Sequence, residues 1–158
     1  MEIYILRHGI AEDAGPGGSD KDRALTQAGR EKLSRVLERA RAAGAAPSLI
    51  LSSPYRRAVE TARIAGQTLG CRKTVETAAL TPDGTPEEVW DEICAHSGEK
   101  ALLLSGHQPL LGITVAFLLG TSALQVDLKK AALVAIDQES FSGEPHGVLM
   151  WMLTPRLA

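Results

Sequence analysis

The sequence predicts a single α/β domain built on a largely parallel sheet. Short apolar runs with β-branched residues alternate along the chain with amphipathic stretches of helical period. Runs such as Ala101–Leu104 are apolar throughout, as in strands covered on both faces. The length, 158 residues with 44% apolar and 23% charged side chains, suits one compact domain that buries its own core. Residues 1–158 are therefore read as one unit, with no repeat, low-complexity tract or linker.

The elements follow in order. Glu2–Leu6 is a short buried strand that ends at Arg7-His8-Gly9, followed by a Gly-, Asp- and Pro-rich loop to about Asp22. Thr26–Ala43 reads as a helix with Leu33, Val36, Leu37 and Ala40 on one face, stopped by Gly44. Leu49–Leu51 is a second strand. Ser53-Pro54 then reads as an N-cap with proline at the first helical position, opening a helix that carries Ala58, Ala62, Ala65 and Leu69 and stops at Gly70. Thr85 and Glu88 are spaced as a capping box, for a helix that buries Val89, Trp90 and Ile93 and ends at Gly98. Ala101–Leu104 is a strand, Pro109 starts an apolar helix that stops at Gly120, and Ala131–Ile136 and Gly147–Leu153 are two further strands.

Composition excludes several function classes. A net charge of -2 and a pI near 6.1 leave no electrostatic footprint for nucleic acid. Aromatics at 4% supply no stacking platform for bases. Cys71 and Cys94 form no CxxC pair, which argues against a disulfide scaffold or thiolate zinc site and fits a reducing compartment. The N-terminus lacks the basic and apolar regions of a secretory signal, and Leu110–Leu119 is too short to span a bilayer. The expectation is a cytoplasmic protein with neither a membrane nor a nucleic acid as partner.

Three polar clusters share one structural position, just after a predicted strand: Arg7-His8-Gly9, Ser53 through Arg57, and Gly106-His107. In open α/β sheets ligands bind beyond the carboxyl ends of the strands. Two histidines and several arginines on one rim make a cationic pocket, whose natural guest is a phosphoryl group. A neutral imidazole is a competent nucleophile toward phosphorus when its other nitrogen holds the proton. His8 is the nucleophile candidate, because Gly9 removes bulk where a substrate approaches. Arg7 and Arg57 can each clamp phosphate oxygens with two donors. His107, before a helix N-terminus, would donate to the transferring oxygens.

Arg7-His8-Gly9 resembles the RHG motif of the histidine phosphatase superfamily. Ser53-Pro54-Tyr55-Arg56-Arg57-Ala58 with Thr61 resembles its S-P-x-x-R-A-x-x-T segment, which selects Arg57 over Arg56, and Gly106-His107-Gln108-Pro109 resembles its second-histidine segment. The RHGIAED opening and the Asp22–Thr26 stretch with Gly29 are similar to the SixA-type phosphohistidine phosphatase branch. Ala24 stands where that branch often has proline, and Glu60 where the superfamily often has glutamine. The resemblance implies a three-layer α/β/α sandwich, phosphoglycerate mutase-like, with a mostly parallel central sheet. It also implies a two-step reaction: His8 is phosphorylated and then hydrolysed, while Arg7, Arg57 and His107 hold the phosphoryl group. Arg23 and Gly9 are the expected substrate-binding residues, and neither cofactor nor metal is called for. Larger members use a carboxylic acid to protonate an alkoxide; Asp83, with Glu76 behind it, is the loop candidate here, expected to be dispensable for a phosphoimidazole substrate.

Other polar residues have plainer readings. His96 suits a helix C-terminus, His146 a turn, Arg56 a solvated position beside Arg57, and Trp90 and Trp151 packing. The leading function is a metal-independent phosphatase acting on a phosphohistidine-containing protein, a phosphorelay or phosphotransfer carrier. A chain without a large insertion has little from which to build a lid over the rim. The alternatives are a phosphatase or mutase for a small phosphorylated molecule, a non-catalytic phosphate-binding module, and a metallohydrolase. The two histidines argue against the non-catalytic module, since arginines alone would bind phosphate. The lack of an HExxH-type pair argues against the last.

Overall fold

The computed structural model describes all residues, 1–158. Six strands form one sheet: β1 (Glu2–Arg7), β2 (Leu49–Ser52), β3 (Thr74–Glu76), β4 (Ala101–Gly106), β5 (Leu133–Asp137) and β6 (Val148–Leu153). Their order is β3-β2-β4-β1-β5-β6. The pairs β3/β2, β2/β4 and β4/β1 are parallel, while β5 alone is reversed and pairs antiparallel with both β1 and β6. The sheet is thus mixed but mostly parallel, as expected.

Four helices cover it: α1 (Gln27–Ala42), α2 (Arg56–Leu69), α3 (Pro86–Ala95) and α4 (Leu110–Leu118). Alternation along the central strands sorts the core into two halves. Ile3, Ile5, Leu102 and Leu104 pack toward α3 and α4; Tyr4, Leu6 and Leu103 pack toward α1 and α2. Each fully buried leucine removed from water contributes roughly 1.5–3 kcal/mol. Both faces are covered, which is why β1 and β4 read as continuous apolar runs rather than alternating ones.

The helix boundaries follow local chemistry. Thr26 caps α1 by accepting from Gly29 N–H at 2.9 Å. The capping box of α3 is present in both directions, between Thr85 and Glu88. The expected Ser53-Pro54 cap is not: α2 begins at Arg56, with Tyr55 at the cap position and no side-chain cap bond. Ser53 accepts instead from Tyr55 N–H at 3.3 Å and turns into the strand-end site. Strand β3 was not expected. Its three residues are all exposed, and it exists through parallel pairing with Ile50–Ser52. No helix is long and apolar enough to cross a membrane, and Cys71 and Cys94 are both free thiols.

Register positions the site. Arg7 is paired with Gly106, and Ser52 with Ser105. The rungs continue one residue further, His8 N–H donating to Gly106 O at 3.0 Å and Ser53 N–H to Ser105 O at 2.9 Å. His8, Ser53 and His107 therefore leave three adjacent parallel strands at the same level.

Candidate active site

His8 is held by the loop it begins. Its Nδ1–H donates to the Gly9 carbonyl at 2.7 Å, which fixes the tautomer and leaves Nε2 as the unprotonated nitrogen. Gly9 N–H in turn donates to Thr61 Oγ1 at 3.1 Å, tying the loop to α2. The His8 and Gly9 positions are also anchored from β5's side, where Ala131 N–H donates to both Arg7 O and His8 O. Ala131 does this in a left-handed conformation, φ 64°. The room Gly9 leaves faces Leu25 and Gly29, 3.2 and 3.4 Å from where a Cβ would lie, so its smallness serves packing against α1.

His107 lies beside His8, with ring centroids 5.1 Å apart. Its Nε2 meets Ser53 Oγ at 2.8 Å. Ser53 already accepts from Tyr55 N–H, so its own proton is best used on Nε2, which puts the imidazole proton on Nδ1. That Nδ1 is buried and has no partner. The Tyr55 ring packs edge-on against His107 at 5.1 Å and also lies under the Arg57 guanidinium.

The arginines differ in their placement. Arg57, only 5% exposed, projects from the first turn of α2 and donates from Nε to His8 Nε2 at 3.3 Å. Its Nη1 and Nη2 donate to the backbone carbonyl and the carboxylate of Asp20, at 2.7 and 3.1 Å. Arg7 donates from Nη1 to Leu128 O at 2.6 Å, while its Nε is buried and unpartnered. Arg23 reaches the rim indirectly. Its Nη1 donates to Asp20 Oδ1 at 2.9 Å and its Nε to Glu12 O at 2.6 Å. Arg56 points to solvent and pairs with Glu60, 3.1 Å away.

Electrostatics keeps both imidazoles neutral. Burial pushes His8 down to about 4, assisted by the charges of Arg57, Arg7 and Lys130 and opposed by the bond to Gly9. Burial pushes His107 down to about 3, with His8, Arg57 and Arg7 adding to the shift and Asp20 opposing it. Burial also lowers the Arg7 guanidinium, against the pull of Asp127. Two of the three buried polar side-chain atoms without a partner, Arg7 Nε and His107 Nδ1, belong to this site. An unpaired buried donor costs about 1–3 kcal/mol, and an oxyanion placed between them would satisfy both.

Asp83 is exposed and lines a surface concavity with Thr81, Glu88 and Glu92. The carboxylate that meets the site is that of Asp20, which the sequence does not single out; Ser53 and Tyr55 stand in the second strand-end cluster, where the sequence assigns them no role in the site. His96 ends α3, Nδ1 to Glu92 O at 2.9 Å, and His146 packs beside Gly120; neither joins the site. No group of three or more His, Cys, Asp or Glu side chains is arranged to hold a metal ion.

The chain is similar to known proteins over most of its length. The family model for the histidine phosphatase superfamily (branch 1) matches residues 3–81, which carry Arg7, His8 and Arg57. A phosphohistidine phosphatase SixA homolog of Haemophilus influenzae is 35% identical over 130 residues, covering 76% of this chain and 78% of that protein. An uncharacterized protein of Picosynechococcus sp. is 36% identical over 140 residues, covering 86% of this chain and 84% of its own length. The structure of the protein histidine phosphatase SixA complexed with tungstate superposes with a TM-score of 0.85 at 28% identity, over 99% of this chain and 98% of that one. With a matched family model, two curated relatives above 30% identity and the phosphoglycerate mutase-like sandwich, this chain belongs to the histidine phosphatase superfamily.

Proposed function

We propose that this protein is a metal-independent phosphohistidine phosphatase that works through a phosphorylated His8. The observation that carries the reading is a neutral His8, whose Nε2 lone pair is met only by the 3.3 Å bond from Arg57 Nε, in one site with the orphaned buried donors Arg7 Nε and His107 Nδ1. That arrangement suits a phosphoryl group presenting three oxygens, with Arg57 as a further clamp. The two named SixA relatives support the substrate class.

In the first step the His8 Nε2 lone pair attacks phosphorus in line, forming one P–N bond as the bond to the departing imidazole breaks. Arg57 Nε, now on Nε2, turns its donor to a phosphoryl oxygen. Arg7 Nε–H and His107 Nδ1–H complete the anion site, and the arginines supply the positive charge that the transition state needs. Water then attacks phosphorus, the P–Nε2 bond breaks, and phosphate leaves with the proton balance closed by solvent. A protonated imidazole leaves readily, so no carboxylic acid is required for it. The substrate is a phosphohistidine-containing protein, in keeping with the absence of any large insertion that could close over the rim.

The test compares a histidine-phosphorylated carrier protein with p-nitrophenyl phosphate in excess chelator, using wild type, His8→Ala and Asp83→Ala. Fast turnover of the phosphoprotein, loss of it with His8→Ala and retention with Asp83→Ala are expected. Preference for the monoester, with loss on Asp83→Ala, would move the assignment to a small-molecule phosphatase. Turnover that stops with chelator would favour a metallohydrolase, and binding without any phosphoenzyme a non-catalytic module.

A further inference from the structure

Asp20 is the first residue of a short 3-10 turn, Asp20–Asp22, which Ser19 caps through Lys21 N–H. It meets the site with three acceptor atoms at once: its carbonyl and Oδ2 on Arg57, and Oδ1 on Arg23. Yet its side chain stays 56% exposed, open to whatever enters from solvent. Other carboxylates near the rim are committed elsewhere. Glu60 is taken by Arg30, Arg56 and Leu25 N–H, and Asp127 by Lys129.

We propose that Asp20 is a specificity residue of this site, whose carboxylate accepts the N–H of a departing imidazole ring and repels anionic leaving groups. The inference rests on the phosphohistidine reading above. Its geometric basis is reach. In-line attack places the leaving nitrogen on the far side of phosphorus, about 5 Å from Nε2. Asp20 Oδ2 stands one guanidinium beyond Nε2, because Arg57 spans the two, Nε on His8 and Nη2 on Asp20. The ring's second nitrogen, when protonated, is a cationic donor directed outward from phosphorus, and a rim carboxylate is its complement.

Chemistry favours this role over that of a general acid. The hydrogen bond from Arg23 and the charges of Arg57 and Arg23 hold the Asp20 carboxyl below the usual carboxylate range, despite some opposing desolvation. It therefore stays ionised and has no proton for an alkoxide. Stabilising the protonated ring acts on the same step from the other side: the bonding pair of the P–N bond passes to nitrogen, and the ring departs neutral because it carried its proton beforehand. The same negative charge disfavours a phosphorylated metabolite with a second acid group. It also competes with phosphate oxygens for Arg57 Nη2 and Arg23 Nη1, whereas Arg57 Nη1 is held by the Asp20 backbone carbonyl.

The experiment is a substrate switch with Asp20→Asn and Asp20→Glu, read against phosphoimidazole, p-nitrophenyl phosphate and inorganic phosphate as inhibitor. With Asp20→Asn, kcat/KM for phosphoimidazole falls at least about tenfold, the worth of one hydrogen bond to a charged group. KM for the monoester and the inhibition constant of phosphate both fall, because two arginines have lost a competing charge. Asp20→Glu restores part of the preference. A structural role alone would lower both substrates together, and that outcome, or an unchanged ratio with a wild-type melting temperature, overturns the proposal. If the wild type itself prefers the monoester, the phosphohistidine reading fails and this inference falls with it. If the wild type prefers phosphoimidazole and Asp20→Asn keeps that preference, only the role of Asp20 is refuted.

Discussion

Ser53→Ala isolates the anchor of His107 without touching any group that would meet substrate. Ser53 is fully buried, and its hydroxyl is the sole partner of His107 Nε2. Alanine leaves that nitrogen unsatisfied in a site where the ring is neutral, its pKa pushed down to about 3. The cost of such an orphan is about 1–3 kcal/mol. The ring has two ways to meet it. It can keep its place and destabilise the fold, or it can rotate or change tautomer and lose the Nδ1–H aimed at the phosphoryl oxygens. If the full cost falls on the transition state, phosphorylation of His8 slows by roughly 5- to 150-fold. KM changes little, since the arginines still hold the anion. Rapid-quench measurement of phosphoenzyme formation, alongside thermal unfolding, reads both routes. A variant that phosphorylates at the wild-type rate with unchanged stability would refute the idea that Ser53 fixes the His107 proton.

Two further outcomes follow from geometry and titration. In Gly29→Ala the new Cβ would run into the Ile10 carbonyl oxygen at the start of α1, so stability falls by about 1–3 kcal/mol in chemical denaturation, with the His8 loop displaced. Stability also depends on acid. His8 and His107 stay neutral in the fold down to about 4 and about 3, whereas both titrate near 6.5 when unfolded. Between those values the unfolded chain binds more protons. Stability is therefore full above about pH 6.5 and falls as pH drops toward the folded values, by at most about 2.7 kcal/mol per unit for two protons. Denaturation midpoints at pH 7 and pH 5 check this, and a flat profile would contradict neutral buried histidines.

Most of the fold was legible because burial on both faces writes itself into sequence. β1 and β4 are continuous apolar runs, and α1 carries its stripe at Leu33, Val36, Leu37 and Ala40. β3 left no such mark, since Thr74, Val75 and Glu76 are all exposed and their pairing is set by β2. Ser53-Pro54 departs from its sequence expectation for a physical reason: a serine before proline has the local chemistry of a cap, and only the tertiary approach of His107 redirects its hydroxyl. The grouping of His8, Arg57 and His107 was foreseeable from their common position after strands. Asp20 was not. Nothing in Ser19-Asp20-Lys21-Asp22 distinguishes one acid from its neighbours, and its importance arises from where Arg57 and Arg23 end. The sequence signal closest to it was the proximity of an acidic turn to Arg23.

Strand β1 lies inside the sheet, between β4 and β5, and both of those neighbours come from the second half of the chain. During synthesis the first strand therefore leaves the ribosome with two unpaired edges and a wholly apolar middle, and it waits about 100 residues for Ala101–Gly106 and longer still for Leu133–Asp137. Such a segment is exposed to mispairing for most of translation. The same delay keeps the imidazole of His8 without its neighbouring donors until β4 is in place, so the nascent chain acquires its phosphoryl site only when the sheet closes around its oldest strand.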